Sequence, residues 1–169
     1  MDHNIYVGKK KYLDDESQIG AEYLAISKAD EEAAKILCQK GLYSQSVYSY
    51  IQSMEKYIKY FICEEIYANK QYFAQELRNI GHSLDKATDL LIKIKSKGDE
   101  RMNGLLTDQI KNKIFRGIKF SAVYNSSRYP FYNMKSKNYS ITVISQEDCK
   151  LMEDIYCALK KYLKQLIRI

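Results

Sequence analysis

Of the side chains in this sequence, His82 is the best suited to acid-base chemistry, because the only other histidine, His3, lies close to the N-terminus. An imidazole titrates near neutral pH and can accept a proton from a ribose hydroxyl that attacks a phosphate. Arg78 lies four residues earlier, and its guanidinium is suited to stabilise the negative charge that develops. The alternative is structural, with His82 capping a helix or pairing with a buried polar group. Arg78 and His82 are therefore candidate catalytic residues of a metal-independent ribonuclease, and the structural alternative stays open.

A second candidate site is the pair Arg128-Tyr129. A guanidinium fork binds phosphate oxygens, and an aromatic ring beside it can stack on a nucleobase. The same residues are also typical of a loop anchor, in which Tyr129 is buried, Pro130 fixes the turn and Arg128 pairs with Glu55 across the protein. The sequence does not separate phosphate binding from loop anchoring.

Three more basic residues, Lys56, Lys59 and Arg116, are candidates for the same phosphate-binding cleft. Lys56 and Lys59 are three residues apart and therefore lie on one side of a helix. An ordinary solvated helix face is the simpler account of both lysines. The hypothesis is a basic cleft that binds a nucleotide or RNA phosphate through Arg128, Tyr129 and these three side chains.

The sequence lacks the residue patterns that other kinds of chemistry require. The four cysteines form no Cys-x-x-Cys pair, and two histidines complete no zinc-binding pattern. Gly-rich phosphate loops, paired catalytic carboxylates and nucleophile elbows are also missing. We therefore expect no metal and no cofactor. The cysteines are interpreted as free, mostly buried thiols of a protein in the reducing cytoplasm.

The basic charge is concentrated towards the C-terminus. Residues 1–100 contain 14 Lys/Arg and 16 Asp/Glu, a balance of −2, whereas residues 101–169 contain 13 and 5, a balance of +8. Within 101–140 there are eight basic residues and one acid, Asp108. An anionic partner would be steered to this part of the chain, although a solvated lysine face would give the same counts.

Length and composition predict a single domain. The 169 residues include one proline and seven scattered glycines, with no linker-like stretch between periodic regions. We expect a lead segment over 1–18 and one domain over 19–169. No apolar run is long enough to span a membrane, and the N-terminus lacks the apolar core of a signal peptide. The expectation is a cytoplasmic protein without a membrane partner.

Apolar residues recur at steps of three and four, which indicates amphipathic helices. The pattern predicts helices over 19–39, 43–66, 83–97 and 105–123, a short helix near 73–78, and a last helix capped by Ser145. Gly41 should end the first helix, which we expect to form an antiparallel hairpin with the second, and Ser83 should cap the helix over 83–97. Residues 124–140 are predicted to form an irregular loop, followed by an extended piece at 140–144. The predicted fold class is all-α, an antiparallel bundle of about five helices around a four-helix up-down core.

Two helix faces follow from this pattern. The fourth helix should present a basic face that carries Lys113, Arg116 and Lys119. The first helix should carry one apolar stripe. Its members are Ile19, Tyr23, Ile26, Ala29, Ala33 and Ile36.

Three segments of the chain together resemble the HEPN domain family of small helical bundles. They are Gly41-Leu42-Tyr43 leading into Gln52-Ser53-Met54-Glu55-Lys56-Tyr57-Ile58-Lys59, then Gly81-His82-Ser83-Leu84 with Lys86 and Leu90-Leu91, and finally Arg128-Tyr129-Pro130 followed by Ile141 and a long helix. The resemblance covers roughly residues 20–167. It implies a homodimeric bundle that binds nucleotide or RNA, often beside a small nucleotidyltransferase partner, and in many members a toxin.

The sequence departs from the ribonuclease branch of that family at one point. That branch carries an Arg-x(4 to 6)-His motif late in the bundle, and here no histidine follows His82. The nearest approximation, Arg78 to His82, has three intervening residues and lies earlier in the chain. Three hypotheses follow: a noncatalytic nucleotide- or RNA-binding module, a ribonuclease toxin that uses Arg78 and His82, and a bundle that only binds a protein partner.

Overall fold

The computed structural model describes residues 8–9, 11–13, 16–66 and 71–166. Within them the prediction of an all-α fold is confirmed, since seven α-helices and one short strand pair account for the regular structure. The predicted lead segment, 1–18, lies largely outside the described residues. The elements are α1 (Glu16–Gln39), α2 (Tyr43–Glu65), α3 (Gln71–Ile80), α4 (Leu84–Ser96), α5 (Glu100–Thr107), a π-helical segment (Asp108–Ile114), α6 (Phe120–Ser126), β1 (Phe131–Asn133), β2 (Asn138–Ser140) and α7 (Gln146–Leu166).

Helices α1 and α2 form the predicted antiparallel hairpin. The turn between them uses Gly41 at φ +74°, a conformation that costs glycine little. Ser53 Oγ donates to the carbonyl of Ser27 at 2.7 Å, and Ser46 Oγ donates to the carbonyl of Ala34 at 2.8 Å. The later residue of α1 thus contacts the earlier residue of α2, so the two helices run in opposite directions. Small side chains at the contact allow the close approach that these bonds require.

The helix predicted over 19–39 is present as α1, but its apolar residues do not all face the core. Ser27 and Ala34 face α2 and are completely buried, whereas Ile26 and Ile36 are 43% and 48% exposed. Hydroxyl groups of α1 and α2 satisfy each other in the interface, so this side of α1 does not need to be apolar. Ile19, Tyr23 and Leu24 of α1 pack against the core, whereas Ile26 and Ile36 lie on the outer side of the helix.

Helix α2 is the centre of the bundle and packs against α1, α4 and α7. Its Phe61 and Met54 are buried, as is Tyr156 of α7. Tyr156 forms an edge-on ring contact with Tyr57 at 5.8 Å, and its hydroxyl shares a 2.8 Å hydrogen bond with Ser27 Oγ. Burial of these rings supplies much of the hydrophobic stabilisation, and the bonded hydroxyl avoids the cost of an unpaired polar group.

A buried ion pair on α2 also contacts the turn between α3 and α4. Glu55 and Lys59 are one helical turn apart, with side chains 1% and 7% exposed, and they contact each other. Lys59 Nζ also donates to the carbonyl of Gly81 at 2.7 Å. The pair therefore fixes the turn that carries His82.

The single helix predicted over 105–123 was wrong, because the chain breaks into three pieces there. The backbone N–H of Phe115 bonds to the carbonyl of Ile110 at 2.8 Å, a π-type bond, and Arg116 and Gly117 then adopt φ of +55° and +73°. Asp85 of α4 accepts hydrogen bonds from the backbone of Phe120, at 3.2 Å, and of the next residue. This cap from a distant helix starts α6 and makes the break favourable.

Two predicted caps are confirmed. Ser83 Oγ accepts from the backbone N–H of Lys86 at 3.3 Å, and Ser145 and Asp148 bond to each other reciprocally at the start of α7. Among the helices that the structure describes, none combines the length and the hydropathy needed to cross a membrane.

Candidate nucleic-acid interface

The Arg128 side chain lies in a cluster of tyrosine rings. Its guanidinium carbon is 4.5, 5.0 and 5.2 Å from the ring centroids of Tyr48, Tyr124 and Tyr129. Nη1 donates to the Tyr124 hydroxyl at 2.8 Å. Cation–π contacts and a neutral hydrogen bond hold the guanidinium in place without cancelling its charge. The side chain is thus positioned for an anion that comes from solvent.

The two inner rings of this cluster come from different helices. Tyr48 lies on α2 and Tyr124 on α6, and their hydroxyls share a 3.4 Å hydrogen bond. That bond, together with partial burial, raises the pKa of Tyr48 above its ordinary value. The phenol of Tyr48 therefore stays neutral to a higher pH than an ordinary tyrosine, and no phenolate forms beside the guanidinium near pH 7.

The loop-anchor alternative for Arg128 and Tyr129 is wrong in two of its contacts. Glu55 is buried in its pair with Lys59 rather than joined to Arg128. Tyr129 is exposed rather than buried. Arg128 is anchored, but by aromatic rings and not by an acid.

A β-hairpin follows directly after Arg128 and Tyr129, where the sequence predicted an irregular loop. Strands β1 and β2 pair antiparallel with Tyr132 opposite Tyr139, whose rings lie 5.1 Å apart. Asn133 makes the turn, since its Oδ1 accepts from the backbone of Lys135 at 2.9 Å and of Ser136 at 3.3 Å. The prediction failed because each strand has only three residues, too few for a periodic pattern.

All residues of the hairpin are exposed. Phe131 is 66% and Tyr139 71% exposed, values unusual for large aromatic side chains that have no binding role. Lys135 and Lys137 lie in the turn between the strands. We call Arg128, Tyr129 and residues 131–140 the hairpin surface.

The charge around the hairpin surface has one sign. From residue 109 to residue 146 the sequence contains seven basic residues and no acid. Lys111 and Lys113 pair with Asp89 and Asp108, which lie outside that range. Arg128, Lys135 and Lys137 form no salt bridge within the described residues. Exposed rings interleaved with uncompensated cations are the pattern with which proteins bind single-stranded nucleic acid.

His82 lies in a shallow pocket next to this surface. The pocket is lined by residues from α2, the α3–α4 turn and α6, among them His82, Ser121, Tyr124 and Asn125. Tyr124 is thus shared between the pocket and the Arg128 cluster. The structure brings two candidate sites together that lie 46 residues apart in sequence.

Arg78 and His82 do not form a visible catalytic pair. Both side chains are exposed at the end of α3 and in the following turn, and no hydrogen bond joins them in the described structure. The capping alternative for His82 is also wrong, because Ser83 is the residue that caps α4.

The two lysines proposed for the cleft are occupied elsewhere. Lys56 pairs with Asp30 at 2.7 Å, and Lys59 is buried with Glu55. Arg116 is exposed, but it lies in the turn after the π-helical segment and not in the Arg128 cluster. Of the five predicted phosphate-binding residues, the structure therefore brings together Arg128 and Tyr129.

Sequence reasoning missed Tyr48, Tyr124 and the hairpin aromatic residues. Tyr124 and Arg128 are four residues apart across the end of α6, a spacing at which side chains meet, so this contact had a signal. Tyr48 had none, because it comes from a helix 76 residues away from Tyr124. In the described parts of the chain, no three His, Cys, Asp or Glu side chains are grouped to hold a metal ion.

Fold and surface together define an all-α protein with a basic, aromatic hairpin on one side. Comparison of the chain with protein-family models, with curated proteins and with solved structures finds no match.

Proposed function

We propose that this protein is a noncatalytic module that binds single-stranded RNA or a nucleotide phosphate through the hairpin surface. Arg128 binds a phosphate with the N–H groups that face solvent, and Lys135 and Lys137 extend the positive charge along the hairpin. Phe131, Tyr129 and the Tyr132–Tyr139 pair stack on bases.

One observation carries this proposal. The hairpin leaves its aromatic side chains in water within a stretch of 38 residues that has no acid, from 109 to 146. Exposing apolar rings has a free-energy cost that a purely structural hairpin would avoid by packing against the bundle. Repeated positive charge supplies the sequence-independent part of nucleic-acid affinity.

The test is fluorescence anisotropy of a labelled single-stranded RNA with purified protein over a series of salt concentrations. We expect binding that weakens linearly with log salt, and a slope that falls by about one for each phosphate contact removed. Arg128→Ala and Lys135→Ala/Lys137→Ala should each weaken binding. Lys161→Ala removes an exposed lysine of α7 and is the matched control. Equal affinity of all variants, or no binding at low salt, would exclude the proposal.

Metal-independent RNA cleavage is a second candidate, and the pocket that His82 shares with Tyr124 favours it. A phosphate on Arg128 would lie beside the pocket that holds the imidazole. Here His82 takes the 2′-hydroxyl proton while the 2′-oxygen bonds to the adjacent phosphorus, and the bond from phosphorus to the 5′-oxygen breaks. The leaving 5′-oxygen takes a proton from water, and a guanidinium, Arg128 or Arg78, stabilises the phosphate charge. Incubation of labelled RNA with wild type and His82→Ala in the presence of a chelator tests it. Intact RNA with the wild-type protein rejects cleavage and leaves binding untouched.

The resemblance to HEPN domains extends the proposal to partners. We propose a homodimer in the cytoplasm that acts within a toxin–antitoxin pair or beside a small nucleotidyltransferase. The alternative of a purely protein-binding bundle predicts a stable complex with that partner and no RNA affinity. Co-purification of the two proteins with and without ribonuclease treatment separates these cases.

A further inference from the structure

The outer side of α1 is apolar although it faces away from the bundle. Ile26 and Ile36 are about half exposed, and Ala29 and Ala33 lie between them on the same side. The opposite side of the helix, with Ser27 and Ala34, already packs on α2. An amphipathic surface helix normally has charged residues on its outer side. Here α1 has an apolar stripe that the described chain leaves largely uncovered.

The spacing of this stripe is that of a coiled-coil seam. Its positions are 22, 26, 29, 33, 36 and 40, which alternate steps of four and three. Lys40 lies just beyond the end of α1, but its backbone N–H still bonds to the carbonyl of Ile36 at 3.1 Å. Such a step pattern keeps one side of a helix against a partner helix over its whole length. We call these six positions the α1 seam.

We propose that the α1 seam is the interface between two copies of this chain, packed antiparallel about a twofold axis beside residue 31. In this register the residue numbers of the two residues in each contact add up to 62. Ile26 packs on the partner's Ile36, Ala29 packs on the partner's Ala33, and Glu22 pairs with the partner's Lys40. The seam is thus complementary to itself in both shape and charge, as a twofold interface requires.

The charges at the two ends of the seam favour the antiparallel arrangement over the parallel one. In a parallel pair, Glu22 would meet Glu22 and Lys40 would meet Lys40, which is repulsive. In the antiparallel pair both ends join opposite charges. Glu22 contacts Lys11 within the chain, but both partners are partly exposed, and such a surface pair is weak and easily exchanged. Alanine at the middle positions lets the two backbones approach closely.

The size of the seam predicts a dimer of moderate affinity. From 22 to 40 it is about 27 Å long, at the usual rise per residue. A single helix pair of this length buries less than a standard protein interface, so we expect dissociation in roughly the micromolar range. This inference names the face of the homodimer proposed above and does not depend on RNA binding.

Sedimentation velocity without RNA, over a range of protein concentrations, tests the interface. Ile36→Glu places a charge opposite an apolar side chain and should weaken dimerisation by about a hundredfold. Val143→Glu adds the same charge at an exposed apolar residue outside the seam and should change nothing. Circular dichroism shows that both variants remain folded.

A charge swap tests the register. Glu22→Lys and Lys40→Glu should each weaken the dimer, and the double variant should restore it. Restoration is expected only if the two positions meet across the interface. A dimer unaffected by Ile36→Glu, or a double variant no better than the singles, overturns the proposed seam. A monomer at every concentration overturns the homodimer as well, and RNA binding is scored separately.

Discussion

Helix α2 buries aromatic and charged residues, whereas the hairpin surface exposes residues of the same kinds. In α2 even a lysine and a glutamate are buried, and Phe61 is 1% exposed. In the hairpin every residue is exposed, including Phe131 and two tyrosines. Burying aromatic groups stabilises a fold, whereas leaving them in water does not. We therefore expect α2 to determine stability and the hairpin surface to determine the proposed RNA binding.

The sharpest comparison uses one substitution in the two regions. Phe61→Ala should lower the free energy of unfolding by about 3–5 kcal/mol, because it leaves a cavity in the core. Phe131→Ala should change it by less than about 0.5 kcal/mol, as expected for an exposed position. Urea denaturation followed by circular dichroism measures both. A similar loss in the two variants would mean that the hairpin is part of the stable core.

The buried ion pair gives the next effect. Lys59→Met removes the cation from Glu55 and the donor from the Gly81 carbonyl, and should cost about 3 kcal/mol. The double variant Glu55→Met/Lys59→Met also removes the orphaned carboxylate and should recover much of that loss. A double variant less stable than Lys59→Met would contradict this, since it would show that Glu55 stabilises the fold even without Lys59.

RNA binding should respond to substitutions in the hairpin surface rather than in α2. Phe131→Ala should weaken single-stranded RNA binding by about 1–3 kcal/mol if the ring stacks on a base. Phe131→Leu keeps an apolar side chain without the aromatic face and is the control, so it should lose most of the same affinity. Anisotropy titration at fixed salt measures both. Full affinity of Phe131→Leu would attribute the contact to apolar packing rather than stacking.

The sequence predicted the bundle because its signals are local. Helix periodicity, the glycine turn at Gly41 and the caps at Ser83 and Ser145 each lie within a few residues of the element that they define. The break at Arg116 and Gly117 was missed because its cap, Asp85, comes from another helix. The side of α1 that packs on α2 cannot be identified from apolar periodicity, because hydroxyl groups form part of that contact.

The candidate site shows the same division between local and distant contacts. Arg128 and Tyr129 were found as neighbours in sequence, and the structure places them at the hairpin surface. Lys56 was misplaced because its acidic partner, Asp30, comes from another helix. Glu55 and Lys59 have the i,i+4 spacing of an ion pair, but that spacing does not show that the pair is buried. Sequence reasoning therefore found the basic region but did not show which of its cations lack an acidic partner.

The smallest expected effect is a pH-dependent change in stability, which should concern the helical bundle and not the hairpin surface. Burial raises the pKa of Glu31, but hydrogen bonds from Lys160 and Lys35 outweigh it and lower that pKa below its ordinary value. A carboxylate with a lowered folded-state pKa stabilises the protein above its unfolded pKa, and this stabilisation is lost as pH falls through the folded pKa. Glu31→Gln should therefore be less stable than wild type at neutral pH and equally stable in strong acid.

Thermal unfolding at both pH values measures this difference, with the exposed Glu32→Gln on the same helix as control. Residues 109–146 contain no acid, so the charge of the hairpin surface stays constant while Glu31 titrates. The acid-dependent part of stability should thus belong to the bundle alone. A deficit of Glu31→Gln that is the same at both pH values would assign its role to packing and not to its ion pairs with Lys160 and Lys35.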